Sequence, residues 1–308
     1  MSTARQSVQA TTVDAAADTL FDLIAEVEQA KRVFTTVIHT EYLRREETSD
    51  RVERWSWDDK TGVVRNWRAS RTLDRGAGRI TFRHENPPAG LDSVTGEWTF
   101  KPLSADRTTV ELRHDFQAAD QQAGERLDRG AATQLAQLAR FAADLERIRE
   151  YEVSYEVELL IPASADELYD YFSDAARWPE RIPHCLSVRL SEDVAPAQVV
   201  EMDVQVPSGA VHTTKQARIC FPGEKVVWRQ LAGLPPLDDA LFGYMSFTPT
   251  EGGVLARAGS TELLKPRAVA KRGWEAQEAK DHVAEVRGGR NLDALNSAAE
   301  YLARKAAR

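Results

Sequence analysis

The 308-residue chain runs through one order of elements twice, and this duplication restricts its fold more than any other feature. In the first pass, residues 7–13 alternate as a short strand. Asp14 is placed to cap a helix over 15–27, whose Leu20, Phe21 and Ile24 fall at helical spacing. A second helical piece, EQAKRVFTTV, leads into Ile38. Strand-like runs follow at 38–46, 51–58, 63–74, 79–85, 93–103 and 108–117, separated by turn signals such as Gly76-Ala77-Gly78 and Pro87-Pro88-Ala89-Gly90. A long helix over 121–150 closes the pass, with Leu127, Leu135, Leu138, Phe141, Leu145 and Ile148 as its apolar stripe. The second pass has a strand at 151–162, a helix at 165–175, and a short helix broken by Pro179 and Pro183. Six strands follow at 186–193, 198–206, 211–221, 225–231, 242–249 and 254–264, then a helix at 275–306 with a break expected at Gly288-Gly289. Single residues repeat with the elements. Arg71 and Arg218, Gly96 and Gly243, and Phe100 and Phe247 are each 147 apart, and Phe21-Asp22 and Tyr169-Asp170 are 148 apart. Two domains are expected, 1–150 and 151–308.

An antiparallel sheet must bury one face, and in each half the only large apolar partner is the terminal helix. The expected fold is therefore α+β: two tandem domains, each a curved antiparallel sheet wrapped around a long C-terminal helix. Sheet curvature and helix radius do not match, so a pocket is expected between them. Trp55, Trp57, Trp67, Phe82 and Trp98 are the expected pocket aromatics. The stretch VVRNWRASRTLD (63–74) sets Trp67 and Arg71 four residues apart, hence on one strand face. An arginine facing an interior is costly unless it is paired or meets a ligand's oxygens.

Other function classes recede. The net charge of −8 argues against nucleic acid. No run approaches the roughly 20 apolar residues of a membrane helix, and there is no N-terminal apolar segment, so a cytoplasmic protein is expected. Cys185 and Cys220 make neither a disulfide framework nor a zinc quartet. No Ser-His-Asp arrangement, phosphate loop or H-E-x-x-H occurs.

The motifs WRASRTLD, GEWTF and ELRHDF, with PASADELYDYFSDAARWPERIPH opening the second half, resemble the didomain aromatase/cyclases of bacterial type II polyketide synthases, built from tandem helix-grip (START-like, Bet v 1-like) domains. The resemblance covers nearly the whole chain. It implies an enzyme that takes a poly-β-ketone from an acyl carrier protein, closes the first ring by intramolecular aldol condensation (C7–C12 on a chain reduced at C9), and dehydrates it to an aromatic ring. No metal or organic cofactor is implied, and a homodimer is left open. By the same resemblance Arg71 and His114, the latter at the HDF position, are catalytic, with Asp144 as a carboxylate of the terminal helix and Arg218 as a substrate contact. The chemistry agrees: an enolate needs a cation in a water-poor site, loss of water needs proton transfer, and aromatic walls fold the chain. In the second half the positions of Trp67, Trp98 and His114 are expected at Thr214, Met245 and Thr261, which makes the first domain the expected catalytic one. Two alternatives share the fold: a non-catalytic carrier of a hydrophobic ligand, and a co-chaperone with an exposed apolar face.

Overall fold

The computed structural model describes residues 3–118, 121–182, 184–205 and 209–307. Among these the duplicated order becomes two seven-stranded antiparallel sheets. The first contains β1 (Thr3–Val13), β2 (Val37–Arg45), β3 (Ser49–Asp58), β4 (Val63–Asp74), β5 (Arg79–His84), β6 (Leu91–Ser104) and β7 (Arg107–Ala118). Strands β2 to β7 are sequential neighbours, and β1 returns to pair with β7, so the order is β1-β7-β6-β5-β4-β3-β2. Helices α1 (Ala17–Ala25) and α2 (Ala30–Val33) lie between β1 and β2. After β7 come α3 (Gln121–Ala143) and α4 (Leu145–Tyr151).

The second sheet repeats the topology with β8 (Glu152–Ile161), β9 (Cys185–Val194), β10 (Ala197–Gln205), β11 (Val211–Phe221), β12 (Lys225–Ala232), β13 (Asp238–Thr250) and β14 (Gly253–Leu264). Helices α5 (Ala165–Ser173) and α6 (Trp178–Arg181) follow β8, and α7 (Pro266–Lys271) and α8 (Ala276–Ala306) follow β14. The chain divides into two compact units, Met1–Asp58 with Arg65–Glu146, and Asp59–Val64 with Arg147–Arg308. No helix among the described residues is long and apolar enough to cross a membrane.

Each sheet buries one face because its strands alternate. In β7 the even residues Thr108, Val110, Leu112, His114, Phe116 and Ala118 are all buried. The partner stripe on α3 is Ala123, Gly124, Ala131, Leu135, Leu138 and Ala142, at helical spacing, and α3 packs on β1 and β7. Leu20, Val37, Ile80, Val110, Leu112 and Leu138 are at most 1% exposed, each contributing about 1.5–3 kcal/mol by leaving water. In the second unit Ile161, Leu168, Phe247, Ala256, Leu295 and Ala298 form the matching core. These are the two helix-grip domains that the pattern predicts.

Local expectations fare unevenly. Asp14 does not cap α1: the N-cap is Ala16, with no side-chain hydrogen bond. Helix α5 has the device α1 lacks, a capping box between Ser164 and Glu167. The second helical piece is reduced to a 3-10 turn and one turn of α2. The first terminal helix is interrupted at Asp144, whereas α8 runs unbroken through Gly288-Gly289. Gly288 is buried there, where an added Cβ would lie 3.8 Å from Tyr155 and Val157, so its bareness serves close packing rather than a kink. Pro183 and Val206, expected as a helix breaker and a strand end, lie outside the described residues.

Candidate active site

Strand register places a single row of residues across the inner face of the first sheet. Arg71 pairs with Phe82, Phe82 with Gly96, Gly96 with His114, and His114 with Ser7. Gly96 is required here because a Cβ would collide with the Phe82 ring and the Arg113 carbonyl. The ring therefore lies flat against the sheet and meets His114 edge-on, centroids 5.5 Å apart. On the same face, His84 is 5.6 Å from Phe82 and stacks on Trp67 at 6.4 Å. The Arg54 guanidinium then sits between two rings, 5.2 Å from Trp67 and 4.7 Å from Phe34. The result is one continuous series, Phe34–Arg54–Trp67–His84–Phe82–His114.

The series faces inward, yet Arg54, Trp67, Phe82 and His84 are only half-buried, as is Asp128 of α3. Inward-facing residues that keep contact with solvent mark a cleft between sheet and helix. Among the buried polar atoms on this face with no hydrogen-bond partner among the described residues are Arg54 Nε, His84 Nδ1, His114 Nδ1 and Asp128 Oδ1. Such atoms are costly in a finished interior and useful where a ligand completes them.

Electrostatics separates their roles. Burial brings the His114 imidazole down to about 4, against the opposing pull of the Asp128 and Asp115 charges. Burial, reinforced by His114 and Arg54, brings His84 down to about 4. Burial and then the charge of Arg71 bring Arg54 down to about 9. At neutral pH the cleft thus holds two neutral imidazoles, each able to accept a proton, beside a guanidinium that remains charged. Both histidines have folded values below the free value of about 6.5, so their contribution to stability is present above that pH and is lost as pH falls through about 4. Wild-type thermal stability should therefore drop between about pH 6.5 and 4, and His84→Gln or His114→Gln should flatten that part of the curve. A melt series in which neither variant changes the slope would reject this electrostatic picture.

The structure redistributes several residues expected at the site. Trp67 and Arg71 do share the inner face, but the Arg71 donors are occupied. Its Nε and Nη2 bind Asp50 at 2.7 and 2.6 Å, and its Nη1 and Nη2 donate to the Ile24 and Ala25 carbonyls at the end of α1. Arg218 repeats this clamp from a 2%-exposed position, reaching Phe172 O and Gln198 Oε1. Arg71 and Arg218 therefore tie the first helix of each unit to its sheet, and Arg218 is not set out as a substrate contact. Trp55 and Trp57 alternate with Arg54 and Ser56, so they lie on the opposite sheet face, where Trp55 meets His39 at 5.7 Å. Trp98 faces inward but is packed in the core, stacked on Phe100. Asp144 lies at the break between α3 and α4, and the helix carboxylate coupled to His114 is Asp128, sixteen residues earlier. The register also corrects one equivalence: Gly243 pairs with Ser260, so Ser260 is the counterpart of His114, while Thr261 points to the other face and bonds Ser154. Thr214 and Met245 hold the Trp67 and Trp98 positions as expected.

Arg54, His84 and Asp128 escaped the sequence reading, though each left a trace. Arg54 has the strand parity of Asp50 and Val52, His84 that of Ile80 and Phe82, and Asp128 continues the α3 stripe four residues after Gly124.

Known proteins share the family and the fold. Residues 13–138 and 161–241 match the family described as polyketide cyclase / dehydrase and lipid transport. The chain is 31% identical over 310 residues to the granaticin polyketide synthase bifunctional cyclase/dehydratase of Streptomyces violaceoruber, covering 97% of this chain and 94% of that one. It is 33% identical over 298 residues to the actinorhodin polyketide synthase bifunctional cyclase/dehydratase of Streptomyces coelicolor, covering 91% of each. Among solved structures, the di-domain ARO/CYC StfQ of the steffimycin biosynthetic pathway superposes with a TM-score of 0.88 at 30% identity, covering 98% of this chain and all of that one. The di-domain ARO/CYC BexL of the BE-7585A pathway gives 0.83 at 30% identity, with 96% and 98% coverage. The two seven-stranded sheets, the duplicated order and the full-length similarity together make this chain a didomain member of the polyketide cyclase/dehydrase family.

Proposed function

We propose that the first unit is an aromatase/cyclase. It receives a poly-β-ketone on an acyl carrier protein, closes the first ring between C7 and C12 of a chain reduced at C9, and removes water to aromatise it. The relatives are named for the same two operations, cyclisation and dehydration. The observation that carries the reading is Arg54: a charged guanidinium with an unpartnered Nε, held between two aromatic rings and in line with two neutral imidazoles.

A neutral imidazole takes a proton alpha to a ketone, and Arg54 holds the resulting enolate oxygen. The carbanionic carbon bonds to a second carbonyl carbon, whose oxygen takes up the proton as a hydroxyl. In the dehydration, neutral His114 removes the neighbouring carbon-bound proton and, as the imidazolium so formed, delivers that proton to the hydroxyl, which leaves as water. Asp128 stabilises the imidazolium while it exists. Trp67 and Phe82 supply walls against which the chain folds. A carrier of hydrophobic ligands would have no use for these charged and titrating groups.

The second unit lacks the set. Register puts Met202 where Arg54 stands, Gln230 for His84, Ser260 for His114 and Thr214 for Trp67. This supports a secondary role for the second unit in the reaction. It also supplies the decisive substitution: Arg54→Met should keep the fold, since a sister sheet accepts Met there, and should slow ring closure about 10²–10³-fold. Product analysis with a minimal synthase and ketoreductase measures this; closure at the wild-type rate would remove Arg54 from the chemistry.

A further inference from the structure

The two sheets treat one cross-strand pair differently. Where the first strand of each unit meets the last, the outward pair closes side chain to side chain. Gln6 Nε2 donates to Asp115 Oδ1 at 2.7 Å, and at the matching positions Ser154 and Thr261 share a hydrogen bond of 2.9 Å. The next pair faces inward. In the second unit it is Tyr155 with Ser260, and it closes too, because Ser260 bonds the Tyr155 oxygen. The terminal helix joins it, as Asn291 Nδ2 donates to Ser260 Oγ at 3.3 Å. In the first unit the same pair is Ser7 with His114, and it stays open. Both residues are buried, and Ser7 Oγ and His114 Nδ1 have no hydrogen-bond partner among the described residues.

Helix α3 supplies a third such atom. An added Cβ on Gly124 would lie 3.1 Å from the Phe116 ring and 3.4 Å from Arg5 Nη1, so Gly124 sits over the Arg5–Phe116 pair. From there α3 follows β7 towards Leu112 and Val110: Ala123 packs with Phe116 and Ala118, whereas Ala131 and Leu135 share a core with Leu112 and Val110. Four helical residues rise about 6 Å, and two strand residues span about 6.6–6.8 Å. One turn after Gly124 is Asp128, and one inward step after Arg5–Phe116 is Ser7–His114. Asp128 is therefore carried over that pair, and its Oδ1 is also buried without a partner. Its charge acts on His114 with no hydrogen bond between them.

The capacities of the three atoms fit one another. A protonated Nδ1 only donates, a carboxylate oxygen only accepts, and a hydroxyl does one of each. We propose that Ser7 is a positioning residue of His114: its hydroxyl accepts the Nδ1 proton of the imidazole and donates its own proton to Asp128 Oδ1. Closing this link takes rotation of side chains alone. It gives the first unit the join of terminal helix, first strand and last strand that Asn291, Tyr155 and Ser260 make in the second. It also satisfies three buried atoms whose desolvation is otherwise uncompensated. The neutral imidazole is thereby held with its proton on Nδ1 and with Nε2 bare, and Asp128 reaches the ring through Ser7. The consequence for catalysis rests on the proposed function, in which Nε2 takes and returns the proton.

The test labels the histidines of the full chain with nitrogen-15, the His114 signals being assigned by their loss in His114→Gln. Couplings to the ring carbon protons report which nitrogen carries the proton, with no substrate present. At neutral pH the wild type should carry it on Nδ1. Ser7→Ala, which removes one buried oxygen, should move it to Nε2, because a sealed N–H without an acceptor is costly. Asp128→Ala should move it as well, since the Ser7 proton is then free to turn to Nδ1. Ser7→Thr keeps the hydroxyl and should keep the proton on Nδ1. With substrate, Ser7→Ala should slow dehydration about 10–100-fold, the usual cost of losing a group that orients a working imidazole, at unchanged KM. A wild-type proton on Nε2 overturns the inference, and so does a proton that stays on Nδ1 in Ser7→Ala, which would mean that Asp128 takes it directly. A proton on Nε2 in both Ser7 variants makes the effect one of packing and overturns it too. A move in Ser7→Ala alone, with dehydration at the wild-type rate, upholds the Ser7 link and counts against His114 in the proposed function, so the two readings fail separately.

Discussion

His114→Gln should still close the ring but lose most aromatisation, with dehydration slowed about 10²–10⁴-fold, the usual worth of a positioned proton-transfer group. His114 is 4% exposed, meets Phe82 edge-on and has a buried, unpartnered Nδ1. Glutamine keeps a side chain of similar length that can hydrogen-bond there, whereas His114→Ala also opens a hole beside Phe82. If the role is proton transfer, both variants should accumulate the same cyclised, non-aromatic product or shunt products derived from it, and only the alanine variant should lose much thermal stability. His84→Gln separates the two imidazoles, because it removes the one farther from Asp128 in the series. Aromatic product from His114→Gln at the wild-type rate would reduce His114 to packing and hydrogen bonding, and leave His84 as the remaining imidazole in the cleft.

Arg71→Ala should lower the stability of the protein by about 3–5 kcal/mol, the usual cost of removing one partner of a buried ion pair, with a fall in Tm on the order of 10 °C. Asp50 is 3% exposed on its side chain and takes both bonds from the Arg71 fork, while two carbonyls at the end of α1 take the other donations. The alanine variant strands a buried carboxylate and leaves those carbonyls unmet. Asp50→Leu combined with Arg71→Met should recover much of the loss, since replacing both partners of a buried pair by apolar groups is often close to neutral. A fully folded Arg71→Ala protein with unchanged Tm and no cyclised product would instead make Arg71 a direct contact of the enolate, as the family motif suggests.

The contrast between Arg71 and Arg54 shows what the sequence could and could not carry. Both are strand arginines four residues from a functional neighbour in sequence or space, and both occur in runs that alternate. The period of two assigns β3 to two sets, Asp50, Val52, Arg54 and Ser56, and Glu53, Trp55 and Trp57. It does not say which set faces the helix. Counting hydrophobicity favours the tryptophans; the structure chooses the other set, because Asp50 must meet Arg71 and Val52 packs against Ala69 of β4. A single pairing between strands 21 residues apart thus reverses the apparent pocket wall. The same limit explains Asp144. The run 121–150, expected as one helix, offers Glu125, Asp128, Asp144, Glu146 and Glu150, and only the angle at which α3 meets β7 selects Asp128.

What the sequence determined by itself was the repeated order of elements, the two helix-grip sheets, the shared face of Trp67 and Arg71, and the place of His114 on an inward strand position. All of these follow from local periodicity and from comparing one half of the chain with the other. What only the tertiary structure decided was which charged groups are consumed in holding the fold and which are left for chemistry. Arg71 and Arg218 spend their donors on helix ends, Arg54 keeps an unpartnered Nε between two rings, and Arg287 shares one guanidinium between two carboxylates. The physical reason is that a side chain's hydrogen-bond capacity is fixed by its type, whereas its partners come from strands and helices tens to hundreds of residues away, brought within 3 Å only when the sheet has closed.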